Sequence, residues 1–379
     1  MCKKIGNGDI EMTKEKIKEF AKKEIVLCVA IVLAIITMFF IPIDKEYLNY
    51  FEYNTLISLF CMLTIIAGLK STNVFDLISR KIIGLFHTRR TVIFALVFGT
   101  FFFDMIVAND MSLITFLPLT YLVLHSTKND KYLAITYILQ TIAANMGGMI
   151  TPYGNPQNLY LYSYYNIDTV EFFSILLVQS IAVAIMLSIC CLFIPNEKLT
   201  LHDNKKLIID NNRLAVYIIL FILVILSIFR VVPHLIILVS ILFVVFATDS
   251  KIFKNVDYGL LMTFCVFFVF SGNIARIPIV KEIIQDIFVK NTLLAGIISC
   301  QFISNVPTAI FLSKFTMNYR DLLISVNIGS LGILISSLAS LITLKEFLKH
   351  QPKNFAKYLI MFTIVNTSFL IVLLLITSI

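Results

Sequence analysis

Long apolar runs separated by short polar loops set the pattern of this chain. A helix rising 1.5 Å per residue needs roughly 20 apolar residues to cross the ~30 Å hydrocarbon core of a bilayer. By that measure the pattern predicts about nine spanning helices, over 25–43, 54–70, 133–161, 172–194, 214–230, 234–249, 258–273, 322–344 and 358–378. Two further apolar stretches, 92–124 and 292–315, carry polar interruptions at Asn109-Asp110 and Ser304-Asn305. Both predict re-entrant hairpins that enter and leave by one membrane face. The first is too long for one straight crossing, and its two arms are each short for one. The second is also the right length for a plain span.

Basic residues decide between these readings, because Lys and Arg gather in cytoplasmic loops. The amino terminus (Lys3, Lys4, Lys14, Lys16, Lys18, Lys22, Lys23), 71–91, 195–213 and 345–357 are rich in them and are expected inside. The 44–53 and 163–171 loops are poor in them and are expected outside. A plain span at 292–315 would turn Lys345, Lys349, Lys353 and Lys357 outward. The hairpin keeps them inside, at the cost of Arg276, Lys281 and Lys290 in an outside loop. The expected fold is therefore an all-α polytopic membrane protein built as an inverted repeat, with two re-entrant hairpins and two broken helices. Its parts are a basic cytoplasmic segment 1–24, a first repeat 25–194 and a linker loop with an extra crossing over 195–233. The second repeat is 234–379, and the carboxyl terminus is outside. Glu11 to Lys23 is expected as an amphipathic surface helix. No small-residue cleavage site follows 25–43, so that run reads as a membrane helix and not a signal peptide.

Composition agrees. The chain is 59% hydrophobic and 14% charged, against about 25% charged in soluble proteins. The net charge of +8 sits in short loops, so it is a topology signal and not a nucleic-acid footprint. The seven cysteines fall mostly in apolar runs and the five histidines form no cluster, so neither a metal centre nor a cofactor is expected. No Gly-x-Ser-x-Gly, His-Glu pairing or phosphate-binding loop is present, which speaks against an enzyme.

Polar residues inside the apolar runs carry the chemistry. A carboxylate at membrane depth costs about 3 kcal/mol on insertion scales, so it faces a polar cavity or has a task. Asp110, beside Asn109 and Ser112, suits a coupling cation or a proton, and it also suits capping the returning helix. Asp104 is a second, more ambiguous carboxylate. Asn145 and the run Thr151-Pro152-Tyr153-Gly154-Asn155-Pro156-Gln157-Asn158 cannot belong to one continuous helix, because two prolines remove backbone donors. The freed carbonyls, amides and hydroxyls suit a sodium ion, and the helix restarting near Asn158 presents its positive end to an anion. Ser304-Asn305-Val306-Pro307-Thr308 offers a second set of hydroxyls, amide and helix-start donors, as do Asn327, Gly329, Ser336 and Ser337. Lys314 fits either an interfacial residue or a counter-charge to substrate.

These motifs resemble the ion-transporter superfamily of arsenite permeases, citrate–metal transporters, one class of sodium–proton antiporters and divalent-anion/sodium symporters. The likeness is closest to the arsenite-permease and citrate-transporter branch and spans about 50–378. The resemblance implies a binding site between the hairpins and an elevator-like motion. It also implies an ion site at Asn109, Thr151, Gly154 and Asn158, a mirror site at Asn305, Thr308, Asn327 and Ser336, and a homodimer. Two departures stand out. Asn109-Asp110 occupies the tip where dicarboxylate symporters have Ser-Asn-Thr. Ile333-Leu334-Ile335-Ser336 replaces a Thr-Pro-x-Gly run, which leaves the second ion site in doubt. The expected function is secondary active transport of a small inorganic or organic anion across the plasma or inner membrane, driven by Na+ or H+. Sodium–proton antiport through Asp110 is the rival expectation.

Overall fold

The computed structural model describes residues 25–84, 86–107, 109–199, 210–282 and 291–378. The expected surface helix Glu11 to Lys23 and the loop lysines Lys205 and Lys206 lie outside the described residues. The described chain is helical throughout. Its elements are α1 (Ile25–Met38), α2 (Tyr53–Ser71), α3 (Val74–Gly84), α4 (Arg89–Asp104), α5 (Asn109–Ser126), α6 (Leu133–Gly147), α7 (Pro156–Tyr164) and α8 (Thr169–Leu192). After the linker come α9 (Asn211–Ile228), α10 (His234–Asp249), α11 (Tyr258–Arg276), α12 (Thr292–Ile303), α13 (Asn305–Leu312), α14 (Tyr319–Ile328), α15 (Leu338–His350) and α16 (Phe355–Thr377).

Seven described helices are long and apolar enough to cross a membrane, fewer than the nine expected. Two of the expected spans fall short for identifiable reasons. Of the run 25–43, the described residues hold the helix Ile25–Met38, which starts where the described residues start; it ends ahead of Pro42, which cannot continue a helix and biases Ile41 away from helical angles. The run 322–344 divides into α14 and α15. No proline interrupts it; the chain instead turns at Gly332, whose φ of 114° suits glycine alone. In the first half, α6 tightens into a short 3-10 turn at Gly148–Ile150, and the helix restarts with Pro156 in its first turn, where the missing N–H costs nothing.

Both interrupted stretches turn back on themselves. Arg89, at the start of α4, donates to Asn129 Oδ1 at 3.0 Å, just beyond the end of α5. Thr292, at the start of α12, lies 3.4 Å from Thr316, just beyond α13. Each stretch therefore leaves where it entered. The packing pairs off between the halves. α4 rests on α6 and α12 on α14, while α5 crosses to α15 and α13 crosses to α7. This brings the two helix breaks together at the centre. A separate group joins α1 to α11 and α2 to α9 and α10. The α6 span is 83% buried, against 22% for the α10 and α16 spans, so α6 forms the centre and α10 and α16 present apolar side chains such as Phe243, Phe246 and Ile360 to lipid.

The open end of the first hairpin is clasped to the loop after α8. The buried Arg89 guanidinium makes two 2.7 Å bonds to the Glu197 carboxylate and lies over the Tyr132 ring at 4.4 Å. The Arg89 N–H also donates to the Glu197 carbonyl at 2.7 Å, and Leu199 N–H to His87 O at 2.8 Å. Bidentate pairing of this kind adds orientation as well as energy. Arg89 holds the Glu197 carboxyl below its ordinary pKa of 4.5. A depressed carboxyl stabilises the fold fully above that ordinary value, and the contribution is lost as pH falls through the lower, folded value. In detergent, the melting temperature of the native protein should fall more steeply below about pH 4.5 than that of Glu197→Gln, with the two curves parallel above it. Parallel curves throughout would refute the clasp.

Candidate functional site

The first break and the first hairpin tip meet around a buried carboxylate. Asp104, the last residue of α4, is fully buried. Its Oδ1 accepts from the Ser112 hydroxyl at 2.6 Å. With its amide turned to suit its neighbours, Asn109 donates to Asp104 Oδ2 at 2.9 Å and to the Gly154 carbonyl at 3.3 Å. The Asn109 and Asn145 amides stand 3.3 Å apart. Gly148 explains how these groups come so close: a Cβ there would lie 2.4 Å from both Asp104 Oδ2 and Asn155 Oδ1. Only a residue without a side chain lets the two oxygens converge over the backbone. Thr151 Oγ1 donates to the Met105 carbonyl at 2.9 Å, pinning the break to the hairpin tip.

Amides then bridge the two breaks. Asn158 Nδ2 reaches the carbonyls of Gly148, Met149 and Thr151 at 3.3, 3.1 and 3.3 Å. Its oxygen accepts from Asn327 Nδ2 at 2.7 Å. Asn155 Nδ2 and Gln157 Nε2 both face Asn327 Oδ1 at 3.5 Å, and Ser337 donates to Asn145 Oδ1 at 2.7 Å. Asn145 Nδ2 and Gln157 Oε1 are buried and have no hydrogen-bond partner among the described residues. Unpartnered buried polar atoms are rare and mark places where a ligand or water is accommodated.

The second tip is assembled differently. Ser304 has φ 71° and ψ 161°, a region nearly reserved for glycine, which costs on the order of 1–3 kcal/mol and persists only where its surroundings enforce it. Its hydroxyl lies 3.3 Å from Asn305 Oδ1 and 3.4 Å from the Ser336 carbonyl. Thr308 donates back to the Ser304 carbonyl at 2.7 Å. Ser336 turns its hydroxyl onto the carbonyls of Ser330 and Ile333 at 2.7 and 2.6 Å. Gln301 spans the second break, donating to Gly329 O at 2.9 Å and Leu331 O at 3.0 Å and accepting from Ile333 N–H at 3.1 Å. The polar side chains described around this tip are hydroxyls and amides.

The structure thus gathers Asn109, Ser112, Asn145, Thr151, Gly154 and Asn155 around Asp104, with Asn158 beside them and turned toward Asn327. Asn305, Thr308 and Ser336 collect around Ser304, whereas Asn327 joins the first break and not this second group. Asp110 is the second residue of α5, and its side chain lies outside the described residues. The central position belongs to Asp104, which sequence reasoning ranked below Asp110. Gln157 was read only as one amide of the first break, and Gln301 went unnoticed. Each is a long amide in or beside an apolar run, which was the available signal.

This geometry can be set beside known proteins. Residues 17–321 match a family model described as Citrate transporter, a stretch that holds both hairpins and the first break. The chain is 34% identical to an uncharacterized transporter of Methanocaldococcus jannaschii over 336 residues, 86% of this chain and 90% of that protein. It is 26% identical to the inner membrane protein YbiR of Escherichia coli over 318 residues, 81% of this chain and 83% of that one. A polytopic helical chain with this extent of match is a membrane transporter, and it belongs to the citrate transporter family.

Proposed function

We propose that the protein is a secondary active transporter that carries a small anion, a citrate-type carboxylate or an oxyanion, together with Na+ or H+ by alternating access. The observation that carries this reading is the Asp104 cluster. A fully buried carboxylate shares one small space with the Asn155 amide oxygen, the Gly148 and Gly154 backbone and the Thr151 hydroxyl. With Asn109 turned to present its oxygen in place of the N–H groups that bridge Asp104 and Gly154, these oxygens suit a hard cation. The anion would lie between the breaks, near the buried amide of Asn145 and the start of α7, where a helix terminus favours negative charge. Coupling follows from the cost of a buried charge. Moving Asp104 through a low-dielectric surround is expensive as a bare carboxylate and far cheaper once a cation or proton neutralises it.

The same reading makes the chain an inverted repeat, 25–194 and 234–379, which the crossed packing of α5 on α15 and α13 on α7 supports. It sets the amino terminus in the cytoplasm and the carboxyl terminus outside, in the plasma or inner membrane. From the resemblance alone it also includes a homodimer.

Uptake of radiolabelled citrate and of inorganic oxyanions into proteoliposomes, under imposed sodium or proton gradients, tests it. Gradient-dependent anion uptake is expected; sodium-driven proton flux with no anion uptake would instead favour antiport. Asp104→Asn should lower gradient-driven uptake by about 100-fold, since losing a charged partner in a buried site costs about 3 kcal/mol. Unchanged coupling would shift the role to Asp110 or remove it from this site. Gly148→Ala should displace the Asp104 and Asn155 oxygens and raise the half-saturating cation concentration by at least about tenfold, read in the same assay alongside melting temperature to separate misfolding from lost binding.

A further inference from the structure

A cavity of about 420 Å³ opens between the end of α2, the first hairpin and the loop Ser250–Asn255, lined by Ala67, Lys70, Ser71, Met111 and Asn255. That volume falls in the range of small-molecule sites. Met111 is two residues beyond Asn109, so the inner end of the cavity lies at the tip that holds the Asp104 cluster. Its rim is basic. Lys70 lines the cavity itself, and the neighbouring loop carries exposed Lys251 and Lys254. Arg213 lies 3.5 Å from the Ser71 hydroxyl and is paired with Asp249, which leaves Lys70 as the basic residue among those that line the space.

On a different part of the same helical group the contacts are tight. Arg230, in the loop between α9 and α10, donates to the carbonyls of Ile167 at 3.0 Å and Tyr162 at 2.9 Å and lies over the Tyr162 ring at 4.4 Å. A guanidinium on a last-turn carbonyl of a helix, here that of Tyr162, is favourable. It ties the end of α7 to the loop between α9 and α10.

We propose that the cavity is an anion antechamber on the lysine-rich side of the membrane, and that Lys70 is the residue that draws a small carboxylate or oxyanion toward the first hairpin. This rests on the anion-transport reading above. A basic cleft concentrates anions and raises their arrival rate, whereas the Asp104 cluster alone would repel them. Lys70 is therefore a recruiting residue, separate from the coupling site.

The test is charge-selective labelling. Met111→Cys would be treated with anionic and cationic methanethiosulfonates in inside-out vesicles, each rate normalised to that of a free thiol in solution and corrected for the unsubstituted protein. The anionic reagent should react about threefold to tenfold faster, as one nearby charge in a partly wet site allows. Lys70→Gln should bring the ratio to about one, and Lys70→Arg should keep it. In proteoliposomes Lys70→Gln should raise the half-saturating anion concentration by a similar factor and leave the maximal rate in place, an effect that added salt erases. Labelling from the opposite face only, or a ratio that ignores Lys70→Gln, overturns the antechamber. The labelling arm needs no transport. Charge-selective labelling without anion uptake would sink the anion-transport reading and keep the cavity's role, while uptake with an indifferent ratio would do the reverse.

Discussion

Backbone groups released by a broken helix inside a bilayer must find partners within the protein, because no water is there to take them. The rest of this structure depends on that requirement. Two long amides meet it. Asn158 reaches across three carbonyls of the first break, and Gln301 clamps three backbone groups of the second. Each comes from outside the segment it holds: Asn158 from the helix that restarts after the break, Gln301 from the entering arm of the second hairpin. The second hairpin cannot withdraw without stranding the carbonyls of Gly329 and Leu331, at a cost of about 1–3 kcal/mol for each unsatisfied group. Breaks and hairpins are therefore one mechanical unit.

The amide bridge extends that unit across the molecule. Asn327 belongs to the second half and pairs with Asn158 in the first at 2.7 Å, while Ser337 pairs with Asn145 at the same distance. Neutral side chains suit this work. They satisfy one another without the desolvation penalty of an ion pair, and they surround the buried carboxylate of Asp104 at the junction of first tip and first break. On the proposed reading, a cation there would change the charge of the unit while the amide bridge between the breaks stays in place. This arrangement suits a body that moves as a whole.

How much was legible in the sequence follows from which signals are local. The first break was plain because Pro152 and Pro156 cannot be hidden in a helix, and Thr151, Gly154, Asn155 and Asn158 were named from it. The second break showed only as small and hydroxyl residues. Its turn rests on one glycine, Gly332, and on serines that bond their own backbone. The end of α1 at Met38 depends on Pro42, which an average over apolar residues ignores. The weight given to Asp104 depended on something no local pattern holds. It closes a helix six residues before Asp110, and only the folding back of the hairpin over Gly148 brings it against Asn155. The partners of Asn327 were equally hidden, since they lie some 170 positions away in the chain.

The two hairpin-and-break groups differ in chemistry, and the difference has a physical reading. Around Asp104, oxygens are pulled together over a glycine. Around Ser304 the hydroxyls of Thr308 and Ser336 are already committed to backbone carbonyls, and a residue with a side chain holds a conformation suited to glycine. A serine kept at φ 71° is held there by its neighbours, so the energy sits in backbone geometry and not in charge. Hydroxyls on both sides donate to backbone carbonyls and keep lone pairs free, so the difference lies in the carboxylate that Asp104 adds at the first tip. On the proposed reading, the cation therefore belongs with the first half. The second half joins the unit chiefly through Asn327, which faces the first break.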